Sequence, residues 1–157
     1  MRIRLVVVGR QAPFLLDAVA EYRGRLAHYA DIEVLAVAPA RWPVAPDPAT
    51  AARLLAEEAD RAGRVWQGER RVLLAREGQA RASDEIGTWL DRLQAGGLRS
   101  LALLVGGPGG VHPTLERLAD ETWSMGPATY PHTLAAVLVL EQLYRGYRIS
   151  RGEPYHH

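Results

Sequence analysis

Short apolar runs alternate with helical patterns along this chain, and that alternation limits its fold more than any other feature. Four runs are typical of buried strands, at residues 3–9, 32–37, 71–75 and 101–105. Helical spacing or start signals predict helices at residues 13–30, 47–62, 83–93, 113–122 and 131–149. Strands that alternate with helices predict an α/β fold with a mostly parallel sheet flanked by helices.

The length of 157 residues fits one domain, and no repeat or low-complexity tract divides the chain. The absence of cysteine excludes disulfides and thiolate metal sites, and it fits a cytoplasmic protein. The apolar runs 5–8 and 134–140 are too short for a signal peptide or a membrane span. The five histidines show no metal-ligand spacing. We therefore expect neither a membrane protein nor a metal site.

The charge balance gives little information about partners. A net charge of +1 provides no general basic field, so composition alone does not favour nucleic acid as a ligand. All basic side chains are arginine, because the chain contains no lysine. Arginine suits bidentate contacts to phosphate, but a compositional bias of the coding sequence is the simpler explanation.

A glycine-rich segment, GGPGG at residues 106–110, follows the fourth predicted strand. Ligands of open α/β sheets bind beyond the carboxyl ends of the strands. Glycines allow a ligand to approach main-chain N–H and C=O groups closely. The segment matches neither G-x-G-x-x-G nor a P-loop. It indicates either a ligand-binding loop or a tight strand-to-helix turn.

The last predicted helix is unusual in two respects. Residues 134–140 are apolar on every side, which predicts burial against a partner subunit or threading into the protein itself. Farther along, Glu141, Arg145 and Arg148 form one polar stripe. The stripe fits a solvated edge with salt bridges. With tyrosines such as Tyr144 beside it, the stripe also fits stacking on bases and contacts to phosphate.

Three blocks of the C-terminal half carry a resemblance to a known family. They read LLVGGPGGVHP, ETWSMGPATYPH and VLVLEQLYRGYRISRGEPYHH. These blocks resemble the RlmH family, the SPOUT-class enzymes that methylate N3 of a pseudouridine in helix 69 of 23S ribosomal RNA. The resemblance is strongest over residues 101–156, and the length and the opening strand also match. It implies a methyltransferase that consists of a single SPOUT domain over residues 1–157.

The resemblance also implies a cofactor, a partner and an architecture. Members of the family bind S-adenosylmethionine (SAM) in a C-terminal trefoil knot, form homodimers and act on the assembled ribosome. The positions expected to bind the cofactor are Leu74, Gly106, Met125, Gly126, Pro127, Ala128, Thr129 and Tyr130. The positions expected near the target base are His132, Tyr144, Arg145, Tyr155 and His156.

The same resemblance suggests individual roles. Arg145 would bind phosphate or a base carbonyl, while Tyr155 and His156 would order the base, with His156 as the candidate proton acceptor. Ala136 and Ala75 depart from the family pattern, which often has an arginine and an acidic residue there. Two other functions stay open at this point: a knotted ribosome-binding assembly factor without activity, and a SPOUT enzyme that methylates a ribose of transfer RNA.

Overall fold

The structure is a computed structural model, and it describes residues 1–10 and 12–155. Strands and helices alternate throughout these residues, so the predicted α/β fold is confirmed. The strands are β1 (Arg2–Val8), β2 (Asp31–Val37), β3 (Arg70–Ala80), β4 (Ser100–Val105) and β5 (Glu121–Ser124). The helices are α1 (Pro13–Leu26), α2 (Pro48–Val65), α3 (Ser83–Ala95), α4 (Pro113–Leu118) and α5 (His132–Ser150).

The five strands form one parallel sheet in the order β2-β1-β4-β3-β5. The side chains of Leu101 to Leu104 in β4 are 0% exposed, as expected for a strand that is covered on both faces. One core cluster joins the sheet to α1, α3 and α5, and another joins it to α2 and α4. The strand order reverses between β1 and β4, where open α/β sheets leave a crevice for a ligand.

The sequence did not reveal strand β5. The helix predicted over residues 113–122 ends at Leu118, and the next four-residue strand adds to the edge of the sheet. Trp123 in β5 is only 1% exposed. Strand β3 is also longer than predicted, because its pairing with β5 shifts register between Leu74 and Gln79 and then resumes. Both features depend on contacts between distant residues, which a local apolar pattern does not contain.

Two helix starts can be compared with their predicted signals. The Asp47 side chain accepts a hydrogen bond from the Thr50 N–H at 2.9 Å, so the predicted start of α2 is confirmed. The sequence Ser83-Asp84-Glu85 also predicts a helix start with a capping serine, but Ser83 is the first residue of α3 and not its cap. Its N-cap is Ala82, whose N–H donates to the Glu85 carboxylate at 2.7 Å.

Helix α5 lies between α1 and α3 against the sheet. Ala136, Val139, Leu140 and Leu143 are 0% exposed, so the protein's own core accounts for most of the apolar surface of this helix. Leu134 is an exception at 36% exposed. Within the residues described, no helix has the length and hydropathy needed to cross a membrane.

Candidate active site

A cleft of about 870 Å³ opens at the carboxyl ends of β4 and β5 and beside residues 73–77 of β3. Its walls are these parts of the strands, the glycine loop at residues 106–110, the segment 125–131 and the start of α5. Small-molecule and cofactor sites typically have volumes of about 300–1,000 Å³. The cleft is therefore large enough for a ligand of the size of a nucleoside cofactor.

The glycine loop is both a tight turn and a wall of the cleft. The two interpretations of GGPGG, a ligand-binding loop and a strand-to-helix turn, are therefore compatible. Gly110 donates its N–H to the Gly107 carbonyl at 3.0 Å, and its φ of +91° is one that L side chains rarely adopt. A Cβ on Gly106 would lie 2.6 Å from Cγ2 of Val111. The loop consequently presents bare main chain to the cleft.

Segment 125–131, which precedes α5, forms the opposite wall. Hydrogen bonds of Ser124 hold its first residues. The Ser124 hydroxyl donates to the Arg76 carbonyl at 2.8 Å and accepts the Gly126 N–H at 3.1 Å. Gly126 has a φ of +101°. Seven of the eight positions expected to bind a cofactor line this cleft, and Pro127 is the exception. The seven are Leu74, Gly106, Met125, Gly126, Ala128, Thr129 and Tyr130.

His132, the first residue of α5, also lines the cleft. Its Nε2 atom lies 3.2 Å from the Arg10 carbonyl oxygen. A Cβ on Gly9 would lie less than 3.0 Å from three atoms of the imidazole, and Gly9 has a φ of +140°. The end of β1 and the start of α5 therefore meet closely, and glycine is needed at position 9 for this contact.

A second group of predicted residues surrounds Glu141. Arg145 donates to Glu141 Oε1 from Nε at 2.8 Å and from Nη2 at 2.6 Å, and the Tyr155 hydroxyl donates to the same oxygen at 3.1 Å. The Arg145 guanidinium lies 4.5 Å from the centre of the Tyr155 ring. Hydrogen bonding to Glu141 raises the pKa of Arg145. Burial, and then the charge of Glu141, raises the pKa of Tyr155.

Arg148 holds the C-terminal tail beside this group. It donates to the Tyr144 hydroxyl at 2.8 Å and to the Pro154 carbonyl at 3.0 Å. Its Nε atom lies 2.6 Å from Glu153 Oε2, which is ion-pair distance without the geometry of a hydrogen bond. The Tyr144 and Tyr155 rings pack edge-on with centroids 5.3 Å apart. Residues 144, 145, 148 and 155, with Glu141, are called the tail cluster below.

One chain does not bring together the four predicted catalytic residues that the structure describes. His132 lies at the cleft, whereas Tyr144 and Arg145 lie twelve and thirteen residues farther along the same helix. At about 1.5 Å of rise per residue, the two places are separated by about 18–20 Å. Tyr155 belongs to the tail cluster. His156 lies outside the described residues.

The sequence did not identify some of the residues in the cleft and in the tail cluster. Glu141 and Arg148 were visible only as members of a polar stripe, although they hold Tyr155 and the tail. Glu77 and Glu116 line the cleft and carried no signal at all. Among the residues described, no group of three or more histidine or acidic side chains could hold a metal ion.

The two departures from the family pattern have different surroundings. Ala75 lines the cleft. Ala136 is 0% exposed in the core that joins α5 to the sheet. Because burial of an unpaired charge is very costly, an arginine at position 136 would not fit this packing. Ala136 therefore serves the core of this chain.

Fold and cleft together define an α/β protein with a site for a nucleoside-sized ligand at the carboxyl edge of a parallel sheet. A family model described as predicted SPOUT methyltransferase matches residues 1–156. A relative from Gloeobacter violaceus is 40% identical and covers 100% of this chain and 99% of its own length. One from Bifidobacterium adolescentis is 34% identical and covers 99% of each chain. Both relatives are named ribosomal RNA large subunit methyltransferase H. The chain belongs to the SPOUT methyltransferase family and, within it, to the RlmH family.

Solved structures show a similar fold at low sequence identity. A probable methyltransferase from Bordetella pertussis aligns with a TM-score of 0.57 at 17% identity, covering 93% of this chain and 96% of that one. A Legionella pneumophila protein described as a methyltransferase, solved with bound SAM, gives a TM-score of 0.50 at 14% identity. That alignment covers 91% of this chain and 65% of the other. These likenesses concern the fold.

Proposed function

We propose that this protein transfers a methyl group from SAM to N3 of a pseudouridine in helix 69 of 23S ribosomal RNA, acting on the assembled ribosome in the cytoplasm. The observation that carries the proposal is the cleft, because seven of the eight positions expected to bind the cofactor line it. The names of the relatives, which match along nearly their whole length, support the large ribosomal subunit as the source of the substrate.

The cleft fits SAM in size and in chemistry. Main-chain groups of the glycine loop and of residues 125–130 would hold the nucleoside, and Leu74 would pack against it. SAM supplies an electrophilic methyl group carried on a sulfonium. Transfer of this methyl depends mainly on position and orientation, so rigid walls such as the Ser124-bound segment suit the reaction.

The tail cluster would bind the RNA. Arg145 would bind phosphate or a base carbonyl, and the Tyr155 ring offers a surface for stacking. Because burial and Glu141 raise the pKa of Tyr155, its phenol stays protonated at neutral pH. We assign Tyr155 the role of a hydrogen-bond donor and not of a base. The N3 proton would then pass to a histidine, His132 at the cleft or His156 of the tail.

A homodimer would bring the two halves of the site together. Leu134 and the half-buried Leu138 lie on the same face of α5 as Glu141 and Arg145. This face carries apolar surface at one end and the tail cluster at the other. A second copy that covers it would bury the leucines. The tail cluster of one subunit would then lie beside the cleft of its partner. Within one chain, the tail cluster and the cleft are separated along α5.

We also propose that the C-terminal segment forms the trefoil knot of the family. The chain leaves β5 at the edge of the sheet and starts α5 beside Gly9, at the end of β1. Segment 125–131 must therefore pass the carboxyl ends of β3 and β4, where the glycine loop also lies. This crossing is the place where a knot would close.

The test of the reaction is transfer of labelled methyl from SAM to ribosomes that lack the helix-69 mark. Free 23S RNA and transfer RNA serve as parallel acceptors. We expect label on ribosomes alone, on N3 of pseudouridine. Label on a ribose of transfer RNA would replace this function with that of another SPOUT enzyme. Binding of SAM without label on any acceptor would leave an assembly factor as the better description.

Two arginine variants test whether the cleft binds SAM and the tail cluster binds RNA. Arg145→Ala removes a guanidinium that pairs with Glu141 four residues earlier, and Arg64→Ala removes one that pairs in the same way with Asp60 in α2. We expect Arg145→Ala to reduce transfer by about tenfold or more with unchanged SAM affinity, and Arg64→Ala to change neither. Equal effects of the two variants, or weaker SAM binding with Arg145→Ala, would contradict the assignment.

A further inference from the structure

Two side chains behind the glycine loop have no part in the site described so far. Glu58 in α2 is 3% exposed, and Trp42 lies in the proline-rich connection between β2 and α2, residues 38–47. We propose that Trp42 and Glu58 are positioning residues, which hold the glycine loop in the shape that accepts SAM. This inference rests on the proposed function, because it concerns the cofactor of the same site.

The Trp42 ring lies directly against the loop. A Cβ on Gly109 would be less than 3.0 Å from three atoms of the indole, so the main chain at this position is in contact with the ring. Neither core cluster of the described residues includes Trp42, and its side chain is half-buried. The glycine loop is therefore a principal neighbour of this ring, and Gly109 is the residue that lets the ring approach.

Glu58 fixes the position of the ring. Its Oε1 atom accepts one hydrogen bond from the Trp42 indole N–H and another from the Ala40 N–H, each at 2.8 Å. Two N–H donors on one oxygen hold the carboxyl group of Glu58 in one orientation. Arg61 ties the same connection to α2 again, because its Nη1 donates to the Ala38 carbonyl at 3.0 Å.

The second carboxylate oxygen of Glu58 faces the loop itself. Oε2 is buried and has no hydrogen-bond partner among the described residues, and a Cβ on Gly107 would lie 3.0 Å from it. A buried acceptor without a partner is destabilising, and such groups in native proteins call for an explanation. Oε2 lies beside Gly107, so Glu58 is in direct contact with the glycine loop. A single carboxylate thus connects the wall of the cleft to the residue that covers it.

Prolines make this arrangement easier to hold. Three occur in the connection, at positions 39, 43 and 46, and each restricts its own backbone φ. The connection therefore loses less conformational entropy when it places Trp42 over the loop. A loop whose shape is set in advance binds its ligand with a smaller ordering cost. Loosening it should weaken cofactor affinity and leave the transfer step of the loaded enzyme unchanged.

Calorimetric titration of SAM into the full chain tests the inference. Trp42→Ala removes both the ring and the indole donor, and we expect it to raise the Kd about tenfold or more. Trp42→Phe keeps a ring over Gly109 without the donor, so its Kd should lie in between. Glu58→Gln places an amide N–H₂ or a weaker acceptor against the loop and should raise the Kd severalfold. At saturating SAM, kcat on ribosomes should stay within about twofold of the wild type for all three.

Matched controls are available in the same elements. Val44→Ala shortens a fully exposed side chain of the same connection, and Asp60→Asn changes an exposed carboxylate of α2 that pairs with Arg64. Both should bind SAM as the wild type does. A folded Trp42→Ala or Trp42→Phe protein with wild-type affinity would overturn the inference alone. So would a loss of kcat as large as the loss of affinity. Failure of the wild type to bind SAM would overturn the proposed function together with it.

Discussion

Helices α3 and α5 approach each other most closely where Gly87 faces Gly146. A Cβ on Gly87 would lie 2.5 Å from the Gly146 carbonyl oxygen and 3.2 Å from Cβ of Ser150. Both neighbours belong to α5, whose inward face is part of the main core cluster. The nearest atom is a main-chain oxygen, which cannot rotate away as a flexible side chain could. The substitution Gly87→Ala therefore requires the two helices to move apart.

Two opposing effects decide the size of the change. Replacement of glycine by alanine inside a helix stabilises it by about 1 kcal/mol. Overpacking of a filled core costs about 1–3 kcal/mol, and the main-chain contact places Gly87→Ala near the upper end of that range. The net result is a loss of about 1–2 kcal/mol in the free energy of unfolding. For a chain of this length, Tm should fall by about 2–8 °C.

A second glycine supplies the control. Gly63 lies inside α2, and a Cβ there would meet only Cδ2 of Leu115 at 3.7 Å, an ordinary contact. Gly63→Ala should therefore gain up to about 1 kcal/mol of stability. Urea unfolding of the wild type and both variants at one protein concentration measures the difference. If Gly87→Ala were as stable as Gly63→Ala, the close approach of α3 and α5 would be wrong.

Three further predictions concern the site and the core. Gly9→Ala should destabilise the fold by about 1–3 kcal/mol, because of strain at a positive φ, and displace His132, so that urea unfolding and methyl transfer both change. Glu141→Gln should lower the pKa of Tyr155 in an ultraviolet titration, because a nearby negative charge is removed. Burial raises the pKa of Tyr147 from 10.0 to about 12. The unfolded chain loses this proton first, so stability should fall as pH rises through that interval, and less steeply in Tyr147→Phe.

The sequence was informative where structure depends on neighbouring residues. β1 and β4 contain the continuous apolar runs 5–8 and 101–105, as expected for strands that are covered on both faces, and such runs are easy to recognise in a sequence. The start of α2 was equally clear, because the Asp47 side chain caps the helix through a bond from the N–H of Thr50, three residues ahead. The position of the glycine loop at the carboxyl edge followed from the order of the elements.

The sequence was uninformative where structure depends on distant contacts. β5 has four residues, and its place at the edge is set by pairing with β3 about fifty residues earlier. Glu58 looks like any acidic residue of an amphipathic helix, yet Ala40 and Trp42 donate hydrogen bonds to it from eighteen and sixteen positions away. The surroundings of the tail cluster had the same difficulty, because the bond from Tyr155 to Glu141 joins residues fourteen positions apart.

The separation of the tail cluster from the cleft follows from α5 being one uninterrupted helix from His132 to Ser150. Its N-terminal end is fixed where His132 meets Gly9 and Arg10, and Glu141 orders Arg145 and Tyr155 near the other end. These two places lie about 18–20 Å apart along the helix. A helix that packs on the core along most of its length cannot bend enough to bring them together. Rearrangement within one chain therefore does not bring these two places together. In the proposed homodimer, the second half of the site would come from the other copy of this chain, which would cover the face of α5 that includes Leu134.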